Sequence, residues 1–332
     1  TDIMHSAYDI KGTNTSAVIG FQPSDIGNPD VTWESTSTLD GGVDAIFLNN
    51  TLNLKFDVWR RYTNDMLYRL QIPQVNGTAA APFVNIGEMK NTGIDVELGY
   101  HNTALSGKIR YGATATLSHY RNEIMKLSED VEEEIITGGL RQINYNRAAV
   151  GTAFPEFYGY YMDGIIQDDA EAAEAPDFPG YATVPGHFKY RDLNDDGVID
   201  PDDDMTYIGS PHPDLTGGLN LDLGYGDIDL NLFFYGSLGN EMINYVNRWI
   251  NMGQFNGGFS RKALEESWDS PYLDSNADAT LPLFDQADGS QQPSTHFIED
   301  ASFLRLKSLR LGYTLPQEWS NKLTLRNLHV YL

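Results

Sequence analysis

The sequence has no cysteine among its 332 residues, and it has few basic residues. Without cysteine, a disulfide framework, a thiolate metal site and a cysteine nucleophile are excluded. The 22 Lys and Arg residues are outnumbered by 47 Asp and Glu, which gives a formal net charge of -25. Because nucleic-acid backbones are bound by clustered Lys and Arg, we expect no nucleic-acid partner.

Long apolar runs are also missing, and no stretch approaches the roughly 20 apolar residues that a membrane-spanning helix needs. A strand of a membrane barrel needs only about 10 residues, of which every second one is apolar. At the amino terminus no charged leader precedes an apolar stretch, and Leu332 falls inside an alternating run. We therefore expect a fragment cut from a larger protein.

Alternation of apolar and polar residues with a period of two is the dominant pattern, and it predicts antiparallel strands. The clearest windows are residues 52–58, 94–100, 108–118, 219–225 and 228–234. A weaker strand is expected over residues 34–47. The runs 304–313 and 323–332 each change phase once, which a β-bulge in each would correct. About eight strands are therefore predicted.

The predicted connections alternate between short and long. Short ones fall near residues 48–51, 102–107, 225–227 and 316–322, and longer ones at 71–89, 123–214 and 237–300. Outer-membrane barrels have this order, with tight periplasmic turns and large extracellular loops. The sequence thus predicts an all-β fold, a transmembrane antiparallel β-barrel with long extracellular loops at about 123–214 and 237–300. The alternative is a soluble β-sandwich or β-propeller.

In a barrel, one face of each strand meets lipid and the other faces the lumen. The predicted lumen-facing polar residues are Lys55, Asp57, Asp95, Glu97, Arg110, Asp229 and Asn231. Aromatic residues near the strand ends are typical of the belts that membrane proteins place at lipid interfaces. The candidates for such a belt are Trp59, Tyr62, Tyr68, Tyr100, Tyr120, Tyr225, Tyr235 and Tyr313.

One motif carries specific chemistry, the segment from Asp192 to Asp203. It follows the calcium-loop pattern, in which side-chain oxygens occupy positions 1, 3 and 5, Gly stands at 6, a carbonyl at 7 and a carboxylate at 12. The predicted calcium ligands are Asp192, Asn194, Asp196, the carbonyl of Val198, and Asp203. The alternative is a solvated acidic turn, because Asn, Asp and Gly favour turns on their own.

Other constellations give no support for an enzyme. The seven histidines are scattered without metal-ligand spacing, and no nucleophile elbow, phosphate loop or dinucleotide fingerprint stands in a supporting context. Aromatic residues of the long loops could stack on a ligand, although packing within the loops explains them better. These aromatics are Phe154, Phe157, Tyr158, Tyr160, Tyr161, Tyr245, Trp249, Trp268 and Tyr272.

Several short motifs in order resemble the carboxy-terminal part of the barrel in the SusC/RagA family of TonB-dependent transporters of Bacteroidetes. They are Ile26-Gly27-Asn28-Pro29-Asp30 with Trp33-Glu34, Asn85-Ile86-Gly87 with Asn91-Thr92-Gly93-Ile94-Asp95, Tyr207-Ile208-Gly209-Ser210-Pro211-His212-Pro213-Asp214, and Phe303-Leu304-Arg305-Leu306-Lys307 with Leu311-Gly312-Tyr313-Thr314-Leu315-Pro316. The resemblance implies a barrel of about 22 strands filled by a plug. It also implies energy supplied by TonB and a SusD-like surface lipoprotein over the loops.

On this resemblance, residues 1–332 are a barrel fragment that lacks the plug and the terminal strands. The function expected is import of oligosaccharides or peptides across the bacterial outer membrane, with lipid around the barrel and calcium as a structural ion in a loop. The alternative is a soluble, calcium-stabilised surface binding or adhesion module. A secreted carbohydrate-active enzyme would need two carboxyls in one cleft, and the sequence places no such pair.

Overall fold

The computed structural model describes residues 2–8, 17–23, 27–69, 82–127, 134–140, 143–253, 257–284, 289–322, 324–326 and 328–332. For residues 2–8, 17–23, 134–140 and 143 only the backbone is described. Some predicted features fall on residues outside these ranges. They are Ile26 of one family motif, Leu323 and Asn327 of the last alternating run, and residues 71–81, 128–133, 141–142, 254–256 and 285–288 of the predicted loops.

Most of the chain is organised around one antiparallel sheet of eight strands. Its strands are β3 (Ser35–Phe47), β4 (Leu52–Asn64), β7 (Gly87–Ala104), β8 (Ile109–Leu127), β15 (Leu215–Tyr225), β16 (Ile228–Leu238), β19 (Phe303–Thr314) and β20 (His329–Tyr331). Their order across the sheet is β20-β19-β16-β15-β8-β7-β4-β3. Over the described residues the sheet is open, with edges at β3 and β20. Seven predicted strands are confirmed, and β7 and β8 extend well beyond their apolar windows. Of the run predicted over residues 323–332, only His329–Tyr331 forms a strand within the described residues.

Pairing along the sheet divides its side chains into two faces. Lys55 is opposite Glu97 and Glu97 is opposite Thr116, whereas the next row joins Leu54, Leu98 and Ala115. We call the side that carries Lys55 and Glu97 the polar face, and the side that carries Leu54 and Leu98 the apolar face. Large side chains of the apolar face are exposed, including Leu39 (77%), Val43 (62%) and Leu309 (57%). A sandwich would bury these residues against a second sheet, so the soluble alternative does not fit.

The change of phase in β19 has the predicted cause. In β16, Phe233 pairs with Ser308 and the next residue, Phe234, pairs with Leu306, so Lys307 is an extra residue. This β-bulge lets Leu306 and Leu309 occupy the same face although they are three positions apart. The second predicted bulge, in the run 323–332, includes Leu323 and lies partly outside the described residues.

Short turns connect the hairpins at one end of the sheet. Residues 48–51 join β3 to β4, residues 105–108 join β7 to β8, and a two-residue turn at Gly226 and Asp227 joins β15 to β16. Gly226 adopts a φ of 56°, a conformation that suits glycine at the first central position of such a turn. Three of the four predicted short connections are therefore confirmed. The fourth, predicted near residues 316–322, is longer, because β19 ends at Thr314 and β20 begins at His329.

The connections at the other end are folded structures. They contain β5 (Leu67–Arg69), β6 (Phe83–Asn85), β9 (Glu134–Leu140), β10 (Ile143–Ala149), β11 (Glu156–Tyr160), β12 (Met162–Ile165), α1 (Asp169–Glu174), β13 (Phe188–Tyr190), β14 (Met205–Gly209), β17 (Glu241–Ile243), α2 (Tyr245–Ile250), α3 (Arg261–Glu265) and β18 (Ile298–Asp300). A further helix, α4 (Gln317–Lys322), lies in the turn between β19 and β20, and a separate hairpin joins β1 (Asp2–Tyr8) to β2 (Ala17–Pro23). Within the described ranges, none of the helices has the length and apolar character to cross a membrane.

The two longest connections pack against each other. Buried residues from the first, such as Tyr160 and Tyr190, form one apolar cluster with Met252, Leu281 and Phe297 from the second. A backbone hydrogen bond from Tyr160 N–H to Pro293 O (2.8 Å) also joins them. We call these two connections, between β8 and β15 and between β16 and β19, the loop layer.

A charge placed on the apolar face should be costly, whereas the same charge on the polar face should not. In the complete protein refolded into lipid vesicles, we expect Leu98→Arg to lower the free energy of unfolding by about 2 to 4 kcal/mol, because arginine loses its hydration at mid-membrane depth. The matched control is Thr116→Arg, on the polar face one row away, with an expected change under about 1 kcal/mol. Equal losses from both substitutions, measured by denaturant titration, would contradict this assignment of faces.

Candidate functional site

The polar face is the first part of the candidate site. All seven residues predicted to face a lumen, Lys55, Asp57, Asp95, Glu97, Arg110, Asp229 and Asn231, lie on it by strand register. Lys55 forms an ion pair with Glu97 at 2.8 Å, and His329 contacts Asp229 at 2.8 Å. Opposite charges therefore compensate each other between the neighbouring strands β4 and β7.

A tryptophan takes part in the hydrogen bonding of the polar face. The Trp59 indole N–H donates to Asp95 Oδ2 at 2.7 Å, while the Ser118 hydroxyl donates to Asp95 Oδ1 at 2.5 Å. The ring lies over Gly93, where a Cβ atom would stand only 2.4 Å from Trp59 Cζ2. Glycine is thus required at position 93 for the ring to lie flat on the sheet.

The prediction of an aromatic belt is correct for some residues and wrong for others. Tyr62, Tyr100, Tyr225 and Tyr313 share the apolar face, as a belt at a lipid interface requires. Trp59, Tyr120 and Tyr235 occupy the polar face instead, and Tyr68 belongs to β5, outside the main sheet. These last four residues do not face lipid.

A hollow of about 420 Å³ opens on the polar face near the short turns. Its lining includes the cationic side chains Arg110 and Arg310 and the acidic side chains Asp222 and Asp229. The Asn231 amide donates to Asp222 Oδ1 at 2.7 Å and holds that carboxylate in the wall. The hollow can accept a polar chain segment or a hydrated solute by hydrogen bonding.

The loop layer is the second part of the candidate site. Most of its predicted ligand-stacking aromatics serve as packing: Phe157 and Tyr160 are buried, and Tyr145 packs edge-on against Tyr245 at 5.4 Å. Burial raises the pKa of the Tyr145 and Tyr160 hydroxyls. Tyr272 is the exception, since 65% of it is exposed. The aromatic residues therefore give the loop layer a fixed shape.

The predicted calcium ligands lie together in one turn of the loop layer. The Asp192 carboxylate accepts the N–H groups of Asp196 (3.3 Å) and Gly197 (2.7 Å), and Asn194 Oδ1 accepts the Asp196 N–H (3.1 Å). The Asn194 amide nitrogen donates to Asp196 Oδ2 (3.0 Å) and Asp203 Oδ2 (3.4 Å). Four of the five predicted ligands are thus linked directly through their side chains.

The fifth predicted ligand, Val198, ties this turn to the rest of the loop layer. Val198 bridges to Asp177, and the neighbouring Ile199 N–H donates to Asp177 O at 2.7 Å. The Ile199 side chain is buried in the apolar cluster. Gly197 has a φ of 86°, which meets the need for a sharp turn at the sixth position of a calcium loop.

Three carboxylates, an amide oxygen and a carbonyl form a donor set that suits a hard cation such as calcium. Among the described residues, however, no group of three or more His, Asp or Glu side chains is already arranged around a common metal position. The residues fit calcium in chemistry, and in this structure their oxygens accept N–H groups of the same turn. Binding itself stays a prediction.

Sequence reasoning missed Asp204, which organises this turn. Its carboxylate is fully buried and accepts the N–H groups of Leu193 (2.7 Å) and Asp200 (2.9 Å). The Asp204 carboxylate therefore links the start of the turn, at Leu193, to its end, at Asp200. The neighbouring Asp203 is exposed to solvent. The sequence shows three consecutive aspartates, and nothing in it distinguishes the buried one.

A two-faced sheet with an exposed apolar side, a polar side and folded loops at one end defines the wall and mouth of a large membrane β-barrel. Residues 6–330 match the family described as TonB dependent receptor-like, beta-barrel. The chain belongs to this family, which lies in the bacterial outer membrane and consists of receptors and transporters, not enzymes.

Individual relatives agree with this assignment. TonB-dependent receptor P3 of Formosa agariphila is 30% identical over 97% of this chain, and TonB-dependent receptor SusC of Bacteroides thetaiotaomicron is 25% identical over 89%. The solved RagAB peptide transporter aligns with the whole chain (100%) at a TM-score of 0.74 and 25% identity. The chain spans 32%, 27% and 34% of these three proteins, so it corresponds to about a third of such a protein.

The loop layer should lose stability in weak acid because of His296. The His296 ring packs between Phe188 and Phe297, at centroid distances of 4.7 and 5.0 Å. Burial lowers the pKa of His296 to about 4; the Lys262 ammonium adds to this, and Glu299 opposes it. An unfolded histidine binds a proton near pH 6.5. Between about pH 6.5 and pH 4 the unfolded loop layer therefore binds more protons, and folding stability falls with the pH.

From pH 8 to pH 5 this effect should remove roughly 2 kcal/mol from the free energy of unfolding of the loop layer. Urea titration of the complete protein in detergent, followed by tryptophan fluorescence, measures this loss. The His296→Gln variant should lose correspondingly less stability over the same pH range, because glutamine does not titrate. An identical pH dependence in both proteins would show that His296 does not cause the effect.

Proposed function

We propose that this chain forms part of the wall and the extracellular mouth of a TonB-dependent importer of nutrients, either oligosaccharides or peptides. The observation that carries the proposal is the pairing of a polar barrel face with a folded loop layer at one end only. Solutes too large for porins need a shaped mouth, and the buried aromatic cluster of the loop layer supplies a fixed shape. The RagAB relative, which is a peptide importer, supports the peptide alternative.

The importer would act with two partners, which the resemblance to the SusC/RagA family implies. A SusD-like lipoprotein would cover the loop layer from outside, and TonB would act through a plug region beyond these residues. The exposed loop residues around Tyr272 and Phe259 offer apolar contacts for a covering protein. The soluble adhesion module is not favoured, because the exposed apolar face would aggregate in water.

Deleting the gene should abolish uptake of one of two fluorescently labelled pools, oligosaccharides or peptides, in the source organism. A copy of the complete gene should restore uptake, and a protonophore should abolish it again, since TonB transmits energy from the proton gradient. A small solute that crosses porins is the control and should be unaffected. Unchanged uptake of both pools would reject the import proposal. Affinity purification in detergent should also recover a surface lipoprotein.

We also propose that the turn from Asp192 to Asp203 binds calcium and stiffens the loop layer. The Asn194 amide nitrogen stands between the carboxylates of Asp196 and Asp203, at a position where a cation would balance their charge better than a neutral donor does. Because Ile199 is anchored in the apolar cluster, an ion held in this turn would restrain the loop layer as well.

The variant Asp192→Ala plus Asp196→Ala should lose the bound calcium, because it removes two carboxylates from the donor set. Elemental analysis of the purified complete protein measures the metal content. Asp168→Ala plus Asp169→Ala, at the start of α1, removes the same charge elsewhere in the loop layer and should leave the calcium in place. Calcium content equal to that of the unaltered protein in the first variant would reject this site.

A further inference from the structure

Near the ends of β4 and β8 from which the long connections leave the sheet, cationic side chains replace the apolar ones on the apolar face. Arg60 is two residues beyond Val58 in β4, and Arg121 is four beyond Leu117 in β8, so both keep the parity of the apolar face. Arg60 pairs with Thr92 of β7, and Thr92 pairs with Arg121. We call Arg60, Thr92 and Arg121 the cation row.

Both arginines of the cation row are exposed, and neither side chain makes a hydrogen bond or an ion pair within the part of the chain that the structure describes. This differs from the position two residues further along the same face, where Lys90 forms an ion pair with Glu123 at 2.6 Å. In a chain with 47 acidic and 22 basic residues, acidic partners are plentiful. Arg60 and Arg121, which flank Thr92 and have no acidic partner among the described residues, therefore leave two positive charges for a ligand from outside the chain.

The spacing of the row suits a phosphate group. Neighbouring strands lie about 4.8 Å apart, so the Arg60 and Arg121 backbones are roughly 10 Å apart with Thr92 between them. Guanidinium groups bind phosphate oxygens in a bidentate way, and a threonine hydroxyl can donate to the same group. One phosphate can thus contact both arginines and the hydroxyl.

The position of the row along the strands places it at a membrane boundary. Arg121 is twelve residues beyond Ile109, the first residue of β8, and at about 3.4 Å per residue and a tilt of about 40° this is roughly 30 Å of height. Arg60 is eight residues beyond Leu52, the first residue of β4, which corresponds to roughly 20 Å. The apolar band of such barrels is about 25 Å tall, so the row spans its upper edge.

Below the row, Val58 (43%), Ile94 (40%) and Leu117 (46%) are apolar and exposed, and they form a surface that acyl chains can cover. His119, opposite Ile94, also lies there, and its ring contacts the backbone carbonyl of Asp214 at 2.5 Å. Arginine costs about 2 to 4 kcal/mol at mid-membrane depth but only about 0 to 1 near the interface. A phosphate above and hydrocarbon below is the arrangement of a phosphorylated lipid.

We propose that the cation row binds the phosphorylated headgroup of a lipid in the outer leaflet, with its acyl chains lying along Val58, Ile94 and Leu117. The leaflet follows from the long connections, which begin directly above the row and are extracellular in such barrels. The site depends only on the membrane location of the sheet and not on the nutrient that is imported.

Native mass spectrometry of the complete protein in detergent tests this proposal, with dipalmitoyl phosphatidic acid as the probe. The variant Arg60→Gln plus Arg121→Gln should lower the bound fraction about tenfold or more, because two charge-assisted contacts are lost. The matched control is Arg61→Gln plus Arg305→Gln, which removes the same charge from the polar face and should bind as the unaltered protein does. The charge-conserving variant Arg60→Lys plus Arg121→Lys should bind less than the unaltered protein but more than the glutamine variant, because lysine keeps the charge and loses the bidentate contact.

Two further measurements distinguish a lipid phosphate from free inorganic phosphate as the ligand. Dipalmitoyl glycerol, which has the same chains without phosphate, should bind weakly to every variant, and millimolar inorganic phosphate should not displace the lipid. Equal binding of both lipids, or an equal loss in the polar-face control, would overturn the proposal. Displacement by inorganic phosphate alone would also overturn it, since the site would then be a simple anion site. The mobility shift of folded barrels on unheated gels shows whether each variant has folded.

Discussion

The fold depends on one constraint, that a strand surrounded by hydrocarbon has no water to satisfy its backbone N–H and C=O groups. Each strand must therefore pair along its whole length, as β7 and β8 do from Gly87 to Leu127 with only one irregularity. Continuous pairing forces successive side chains to opposite faces. The apolar face and the ion pairs of the polar face are thus two consequences of the same backbone requirement.

Beyond the sheet the chain returns to water, where a different constraint acts. Long connections have backbone groups and apolar side chains of their own to satisfy, and the loop layer does this with small sheets and a buried aromatic cluster. The turn from Asp192 to Asp203 is part of that solution, because Ile199 enters the cluster and Asp204 closes the turn. The loop layer can therefore present a fixed surface although none of its strands is long.

The alternation of apolar and polar residues predicted the eight strands and the bulge in β19, because any sheet with one apolar side requires a period of two in its strands. The strand ends were harder to predict, since polar residues such as Arg121 and Asn122 at the end of β8 resemble a loop. The order β14-β11-β10-β9 in the loop layer joins strands far apart in the chain, which no local pattern encodes.

The prediction of an aromatic belt failed at Trp59, Tyr120 and Tyr235. It considered only how near each residue is to a strand end, and not which face of the sheet its odd or even position gives it. Trp59 shares the parity of Lys55 and Asp57, so the sequence did contain the correct answer.

The residues at the two ends of the apolar face set the depth of the sheet in a membrane without help from the loop layer. At the short-turn end, the apolar face finishes with Tyr100, Tyr225 and Tyr313, whose amphipathic rings favour one lipid interface. Toward the other end it carries Arg60 and Arg121, which are tolerated only near the opposite interface. Moving the sheet in either direction would bury tyrosine hydroxyls or guanidinium groups in hydrocarbon. The two ends of one face therefore restrain its depth from opposite sides, and the height of the mouth above the membrane follows from strand length alone.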